Sequence, residues 1–391
     1  MGGDFMKNMD LKYVMHTYAR NYTNFIKGKN ATLFDNNGLD YIDFTSGIGV
    51  CSIGHGNKKL AKTLEIQSKH IIHTSNLYAI EPQAKLARKL VKLSGYDMRC
   101  FFSNSGAEAN ECAIKIARKF GNETNRYEII TLDSSFHGRT IATLKATAQE
   151  KMHKFFYPFP DGFVYAKDVD DIKEKITNKT CAVMLELIQG EGGISPLDKN
   201  KVQNIAKYLK EKNILLIVDE IQSGIYRSGR LFASNVYDIT PDIITTAKGL
   251  GGGVPIGATL SNLKDIFSFG DHGSTFGGNF LSTNAALTTL NILSHLKENH
   301  KLDKTIKYFN KKLEKLQKEH CNIFTQKVGI GLMLGLRMKD ENALKTLIEE
   351  AHKNRILILK SGKNTARFLP PLTISKDEIN EGFKRLKKSI I

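Results

Sequence analysis

Short apolar runs alternate with amphipathic stretches through the middle of the 391-residue chain. The runs RCFFS (99–103), YEIITL (127–132), CAVMLEL (181–187), ILLIVD (214–219) and DIITTA (242–247) have the length and branched or aromatic content of buried strands. Helix-like stretches such as AEANECAIKIARK (107–119) lie between them. That alternation predicts an α/β fold with a mostly parallel sheet. From about residue 292 the texture changes to a Lys-rich helix, then VGIGLMLGLRM (328–338) as a strand, a further helix, and RILIL (355–359) as a strand. This predicts a large domain over 46–291, a smaller α+β domain over 292–391, and an N-terminal segment, 1–45, that joins the smaller one. The length agrees, because a single core stops growing well below it.

Composition narrows the class. Hydrophobic residues at 41% and charged residues at 25% are ordinary for a globular protein, and no apolar run approaches the roughly 18 residues a membrane span needs. The start, MGGDFMKNMDLKYVM, has no basic segment followed by an apolar one, so a cytoplasmic location is expected. Five cysteines at 51, 100, 112, 181 and 321 form no CxxC pair and read as core residues. The net charge of +17 raises the question of nucleic acid. The lysines answer it: they are scattered along amphipathic segments such as 301–319, where acidic residues interleave, as on a solvated helix face. No nucleic-acid or membrane partner is expected, although a basic surface would attract anionic substrates. His70 and His73 have helical spacing, but no carboxylate or cysteine joins them nearby, so no metal site is expected.

In open α/β sheets ligands bind beyond the carboxyl ends of the strands, so polar residues that follow apolar runs are the candidates. Asp219 ends the run ILLIV and is followed by Glu220, Ile221 and Gln222. A carboxylate there needs a cationic partner, for which a pyridinium nitrogen would serve, or else it caps the next helix. Lys248 follows the run DIITTA and precedes GLGGGVPIG. A lysine at a strand end beside flexible backbone can reach a bound aldehyde, and burial would lower its pKa. Neither the P-loop nor the dinucleotide template has this order of strand, lysine and glycines. SNSGAEAN (103–110) follows a strand and opens a helix, so backbone N–H groups around Ser105, Gly106 and Ala107 suit an anion; a plain capped helix start explains the same residues. Phe136 is either a core aromatic or a stacking face, and Arg139 in the same loop is either an ordinary surface arginine or a planar fork for a carboxylate.

These motifs together resemble the class III, fold type I pyridoxal-phosphate aminotransferases, and within them the acetylornithine and ornithine group. The resemblance runs through YIDFTSGIGVCSIGH (41–55), SNSGAEAN, FHGRT, QGEGG (189–193), VDEIQSG (218–224), TTAKGLGGGVPIG (245–257), GSTFGGN (273–279) and RFLPPL (367–372). It implies a large, mostly parallel sheet of the seven-stranded type with a smaller α+β domain. It also implies that Lys248 is the Schiff-base lysine and proton shuttle, Asp219 the pyridinium partner, and Gln222 a neighbour of the ring's phenolic oxygen, with Glu220 and Ile221 beside the cofactor. Phe136 would stack on the ring, Ser105, Gly106 and Ala107 would cup the phosphate, and Thr275 would complete that cup from the partner subunit of a homodimer. Arg139 resembles the arginine that takes the donor carboxylate, with Ser274 close by. Arg367 resembles the arginine that receives 2-oxoglutarate, and Glu191 the acid that pairs with it and gates the two half-reactions. His137, beside the stacking candidate, reads as a wall of the site. The implied reaction moves the terminal amino group of N-acetyl-L-ornithine to 2-oxoglutarate; ornithine, succinyl-diaminopimelate and 4-aminobutyrate are the competing donors, and a non-catalytic basic binding protein on the same fold is the contrasting reading.

Overall fold

The computed structural model describes residues 2–390. All five apolar runs enter one seven-stranded sheet, with bounds trimmed by a residue or two. Its strands are β1 (Arg99–Ser103), β2 (Glu128–Leu132), β3 (Phe163–Ala166), β4 (Thr180–Leu185), β5 (Leu215–Asp219), β6 (Ile243–Thr246) and β7 (Gly257–Ser261). They lie in the order β1-β7-β6-β5-β4-β2-β3. Only β7 runs antiparallel to its neighbours, so the sheet is mostly parallel, as in fold type I. The sequence reading missed two of the seven. FVYA in β3 is a half-buried edge strand, and GATLS in β7 has the small polar composition of the glycine loop it follows.

Strand alternation sends side chains to two separate cores. Leu215 and Ile217 of β5, with Ala182 and Met184 of β4, pack against Cys112, Ala113, Ile116 and Ala117 of the helix Gly106–Gly121. Leu216 and Val218, with Val183 and Leu185, pack on the other face against Val202, Ile205 and Leu209 of the helix Lys199–Glu211. Both strands are buried throughout, as expected of a parallel sheet covered by helices on both faces. The same period of two directs Asp219 and Glu186, the first polar residues after these runs, toward the helix Gly106–Gly121.

The rest of the chain closes over the ends of this sheet. Strands Phe25–Lys29, Thr32–Asp35 and Asp40–Asp43 form a second sheet with Ile356–Leu357, which pairs parallel to Asp40–Asp43. A third sheet comprises Phe324–Ile330, Met333–Met338, Leu359–Ser361 and Thr365–Phe368. The run expected as one strand over 328–338 is therefore a hairpin. Gly331, at φ 66°, makes the reversal in a region of backbone space that side-chain-bearing residues avoid. The run 355–359 likewise divides between two sheets. The helix Phe280–Glu298 passes straight through residues 291 and 292, so no break occurs there. The segment of His70 and His73 is not helical either, since its helix ends at Ser68 and His70 Nδ1 bonds the Ile66 carbonyl at 2.9 Å.

Lys301–Glu319 is amphipathic as expected, burying Leu302, Phe309, Leu313 and Leu316. Phe309 sits 5.0 Å from Phe44 and 5.1 Å from Phe383 between ring centroids, which ties the N-terminal strands to the C-terminal helix Lys376–Lys388. Among the described residues, no helix is long and apolar enough to cross a membrane. Phe309→Ala should lower the unfolding free energy by about 3–5 kcal/mol through the cavity it leaves. Denaturant titration will read this, and a loss below about 1 kcal/mol would mean that the aromatic cluster does not hold these segments together.

Candidate active site

A cavity of about 550 Å³ opens beyond the carboxyl ends of β4, β5 and β6, in the size range of small-molecule sites. Asp219 lies on its wall, 4% exposed. No helix starts after it, so it is not a helix cap; the chain turns back, and Asp219 Oδ1 accepts the Ile221 N–H at 3.0 Å. Its Oδ2 accepts from Asn110 Nδ2 at 2.8 Å and from His137 Nδ1 at 2.8 Å. The carboxylate can only accept, so Nδ1 carries the proton and the buried Nε2 of His137 is left without a partner. Asp219 thus faces the cavity without a lysine or arginine ion pair among the described residues.

Lys248 follows β6 at φ 41°, a left-handed conformation rare for lysine, and its side chain lines the same cavity. Burial pushes its ammonium below the ordinary lysine value, against the opposing pull of Asp219 and Glu191. The glycines behind it have a steric reason at one clear point. A Cβ on Gly257 would stand 2.2 Å from the Ser105 carbonyl, so only glycine lets β7 approach the start of the helix Gly106–Gly121.

Ser105 caps that helix by accepting the Glu108 N–H, and Ser105, Gly106 and Ala107 all line the cavity. A Cβ on Gly106 would lie 2.8 Å from Ile221 Cδ1, which explains the glycine where two loops meet. The first turn combines free backbone donors with the positive end of the helix dipole, as anion sites require. Phe136 is half-buried on the wall, with the exposed Arg139 guanidinium 5.5 Å from its ring centroid. Gln222 is buried and Ile221 half-buried, and both line the cavity. Glu220 does not belong with them, because alternation turns its buried carboxylate away to accept from Ser223 Oγ, Ala233 N and Ser234 N. The expectation that Glu220 lies beside the cofactor is corrected accordingly.

Glu191 and Arg367, 176 residues apart, form an ion pair at 2.6 Å. Arg367 is 3% exposed and also reaches the Gly190 carbonyl at 3.4 Å and Gln222 Oε1 at 3.5 Å. Ser274 Oγ accepts from Asn104 Nδ2 at 3.3 Å and from Gly277 N at 2.9 Å, which holds its loop beside the cavity rim. Thr275 does not line this cavity and is exposed.

Four residues of the site were not singled out from the sequence: Tyr18, Asn104, Asn110 and Glu186. Tyr18, Asn104 and Glu186 line the cavity, and Asn110 fixes Asp219 from the helix. Glu186 carried the same signal as Asp219, a carboxylate ending an apolar strand. Its reading as part of the strand 181–187 concealed it. It is 7% exposed, and burial, with Asp219 nearby, pushes its carboxyl up to about 7.

Comparison with known proteins agrees with this geometry. Residues 14–390 match the family model described as aminotransferase class-III. The chain is a class III aminotransferase. It is 61% identical to the acetylornithine aminotransferase of Wolinella succinogenes over 98% of both chains, and 42% identical to that of Methanocaldococcus jannaschii over 97% and 98%. Among solved structures it resembles the ornithine aminotransferase of Toxoplasma gondii, with a TM-score of 0.93, 30% identity and coverage of 99% and 94%. It also resembles the N-acetylornithine aminotransferase of Stenotrophomonas maltophilia, with a TM-score of 0.82, 32% identity and 98% coverage of each chain.

The raised carboxyl of Glu186 has a consequence for stability. Its folded value of about 7 lies above the ordinary 4.5, so in that window the folded chain holds a proton that the unfolded chain has released. Its contribution is therefore fully present below about 4.5 and is lost as pH rises through about 7. Glu186→Gln should flatten the fall of the cofactor-free protein's Tm between pH 5 and pH 8. Parallel Tm curves for the two proteins would refute this assignment.

Proposed function

We propose that this aminotransferase binds pyridoxal 5′-phosphate and transfers the terminal amino group of N-acetyl-L-ornithine to 2-oxoglutarate, giving N-acetyl-L-glutamate 5-semialdehyde and L-glutamate. The observation that carries the cofactor reading is the buried, cavity-facing Asp219, which among the described residues forms no lysine or arginine ion pair, opposite Lys248. A pyridinium nitrogen supplies that missing positive charge, and a buried carboxylate without one is costly. The substrate reading rests on the names of two relatives that are 61% and 42% identical along nearly the whole chain.

The bound cofactor supplies an electron sink for the carbon that loses its proton. The chain supplies the rest. Lys248, its pKa lowered by burial, takes the proton from the donor's amine-bearing carbon and returns it on the other side of the exchange. Asp219, steadied by Asn110 and His137, would keep the ring nitrogen of the bound cofactor protonated. Backbone N–H groups at 105–107 would hold the phosphate, Phe136 would cover the ring face, and Gln222 and Ile221 would border it. Arg139, on the same cavity wall as Tyr18, holds the donor carboxylate at the distance that places the terminal amine over Lys248. Glu191 neutralises Arg367 while the donor is bound and gives it up to the second carboxylate of 2-oxoglutarate.

A homodimer fits the same picture. Thr275 sits exposed on a loop that Asn76 fastens to the segment 71–78 by bonds to Ser274 O and Gly277 O, both at 2.9 Å. Ile72, Leu77, Tyr78 and Phe276 around it are solvent-exposed apolar side chains, as at a surface that a second copy covers. In the dimer Thr275 reaches the partner's phosphate site. We also assign 1–45 and the C-terminal part to one small domain, with the boundary at the end of the helix Phe280–Glu298. The five unpaired cysteines suit a reducing cytoplasm.

Lys248→Ala should abolish the visible absorption band acquired on cofactor addition and reduce turnover on the order of 10⁴-fold; retained activity would overturn the mechanism. A side-by-side kcat/KM comparison of N-acetylornithine, ornithine, succinyl-diaminopimelate and 4-aminobutyrate tests the donor, and a clear win for ornithine would overturn that assignment. Arg139→Ala should raise the donor KM roughly 10- to 100-fold while sparing the 2-oxoglutarate KM. Light scattering should give twice the 43.8 kDa chain mass, and Phe276→Asp should shift it toward one. A monomeric parent protein with full activity would remove the shared site.

A further inference from the structure

Two loops, one carrying Phe136, His137 and Arg139 on the cavity wall and the other Gly190 and Glu191, are joined by a single carboxylate. Glu186 follows β4 directly. Its Oε1 accepts the Phe136 N–H at 2.8 Å and its Oε2 the Gly190 N–H at 3.1 Å. It is 7% exposed and makes no lysine or arginine ion pair among the described residues. The charged groups facing it are His137 and Asp219, with Lys248 across the cavity. Its charge is therefore held by two backbone donors, one from each loop.

We propose that Glu186 is a positioning residue that clamps the Phe136–Arg139 loop to the Gly190–Glu191 loop, so that the ring-covering face and the switching carboxylate are set by one side chain. This rests on the roles proposed above for Phe136, Arg139 and Glu191. The requirement is specific to a carboxylate. An ionised Glu accepts with both oxygens, whereas a Gln of the same shape has one acceptor and would point an NH₂ group at the other N–H. Glu186→Gln keeps the volume, preserves one bond and releases one loop. Gly190 also gives its carbonyl to Arg367, and its neighbour Glu191 pairs with that arginine. Freeing Gly190 alters how readily Arg367 is surrendered to 2-oxoglutarate.

Hydrogen–deuterium exchange at pH 8, where Glu186 is ionised, reads the clamp without turnover, in both cofactor-free and cofactor-loaded protein. In Glu186→Gln, peptides covering 134–139 or 188–193 should exchange about tenfold faster, with the rest of the chain unchanged. Wild-type exchange in both peptides, or acceleration spread evenly over the chain, would overturn the proposal. Glu186→Asp, which keeps the charge but falls one methylene short of both donors, gives the same reading should the Gln variant fail to fold. A kinetic cycle adds the second arm. The 2-oxoglutarate KM should change about tenfold with Glu186→Gln in the parent and hardly at all in a Glu191→Ala background. An equal change in both backgrounds would show that Glu186 does not act through Glu191. Should turnover be absent with every donor, the proposed function falls while the exchange result still decides the clamp.

Discussion

The site is organised around one buried negative charge. Asp219 stands at the end of a strand whose every residue is buried, and among the described residues no lysine or arginine forms an ion pair with it. A charge in that position is tolerable only if its lone pairs are occupied and a positive group arrives. Asn110, Ile221 and His137 meet the first condition. Each comes from a different element: the helix Gly106–Gly121, the turn after β5, and the loop after β2. Satisfying one carboxylate therefore fixes three pieces of chain relative to one another. The cavity on its open side leaves room for a positive group to meet that charge.

The surroundings of Asp219 also account for the lysine. Lys248 enters a volume where burial disfavours its ammonium form, while Asp219 and Glu191 favour it. A lysine whose ammonium form is disfavoured by burial gives up its proton more readily than a solvated surface lysine. Arg367 and Glu191 show the same logic at the position proposed for the second substrate. The arginine is almost fully buried, and its partner is a half-exposed carboxylate on a glycine-rich loop. A charge pair with one partly exposed member can exchange it for a competing carboxylate at small cost, because the arginine never loses a counterion.

Much of this was legible in the chain itself, for identifiable reasons. The strands that became β1, β2, β4, β5 and β6 are buried on both faces and so are written as continuous apolar runs. The polar residues Asp219 and Lys248 stand out where those runs end. The strands that escaped notice are those whose burial is partial or whose residues are small, β3 and β7. VGIGLMLGLRM read as a single strand because its apolar content is unbroken, although Gly331 reverses the chain within it. Glu220 was placed with the cofactor because it adjoins Asp219, but a period of two turns adjacent strand-end side chains to opposite faces.

What the sequence by itself determined was therefore local: the period of each element, the composition of each loop, and the order of motifs that together resemble one family. Tertiary structure decided which of these pieces meet. Glu191 finds Arg367 from 176 residues away, Tyr18 reaches the cavity from the N-terminal arm, and Glu186 spans two loops that its neighbours in sequence do not identify. The physical reason is that periodicity records which face of an element is buried, whereas it holds no record of which distant element buries it. That information resides in the packing of helices on the two faces of the sheet, and there a single buried carboxylate selects its partners by hydrogen-bond geometry.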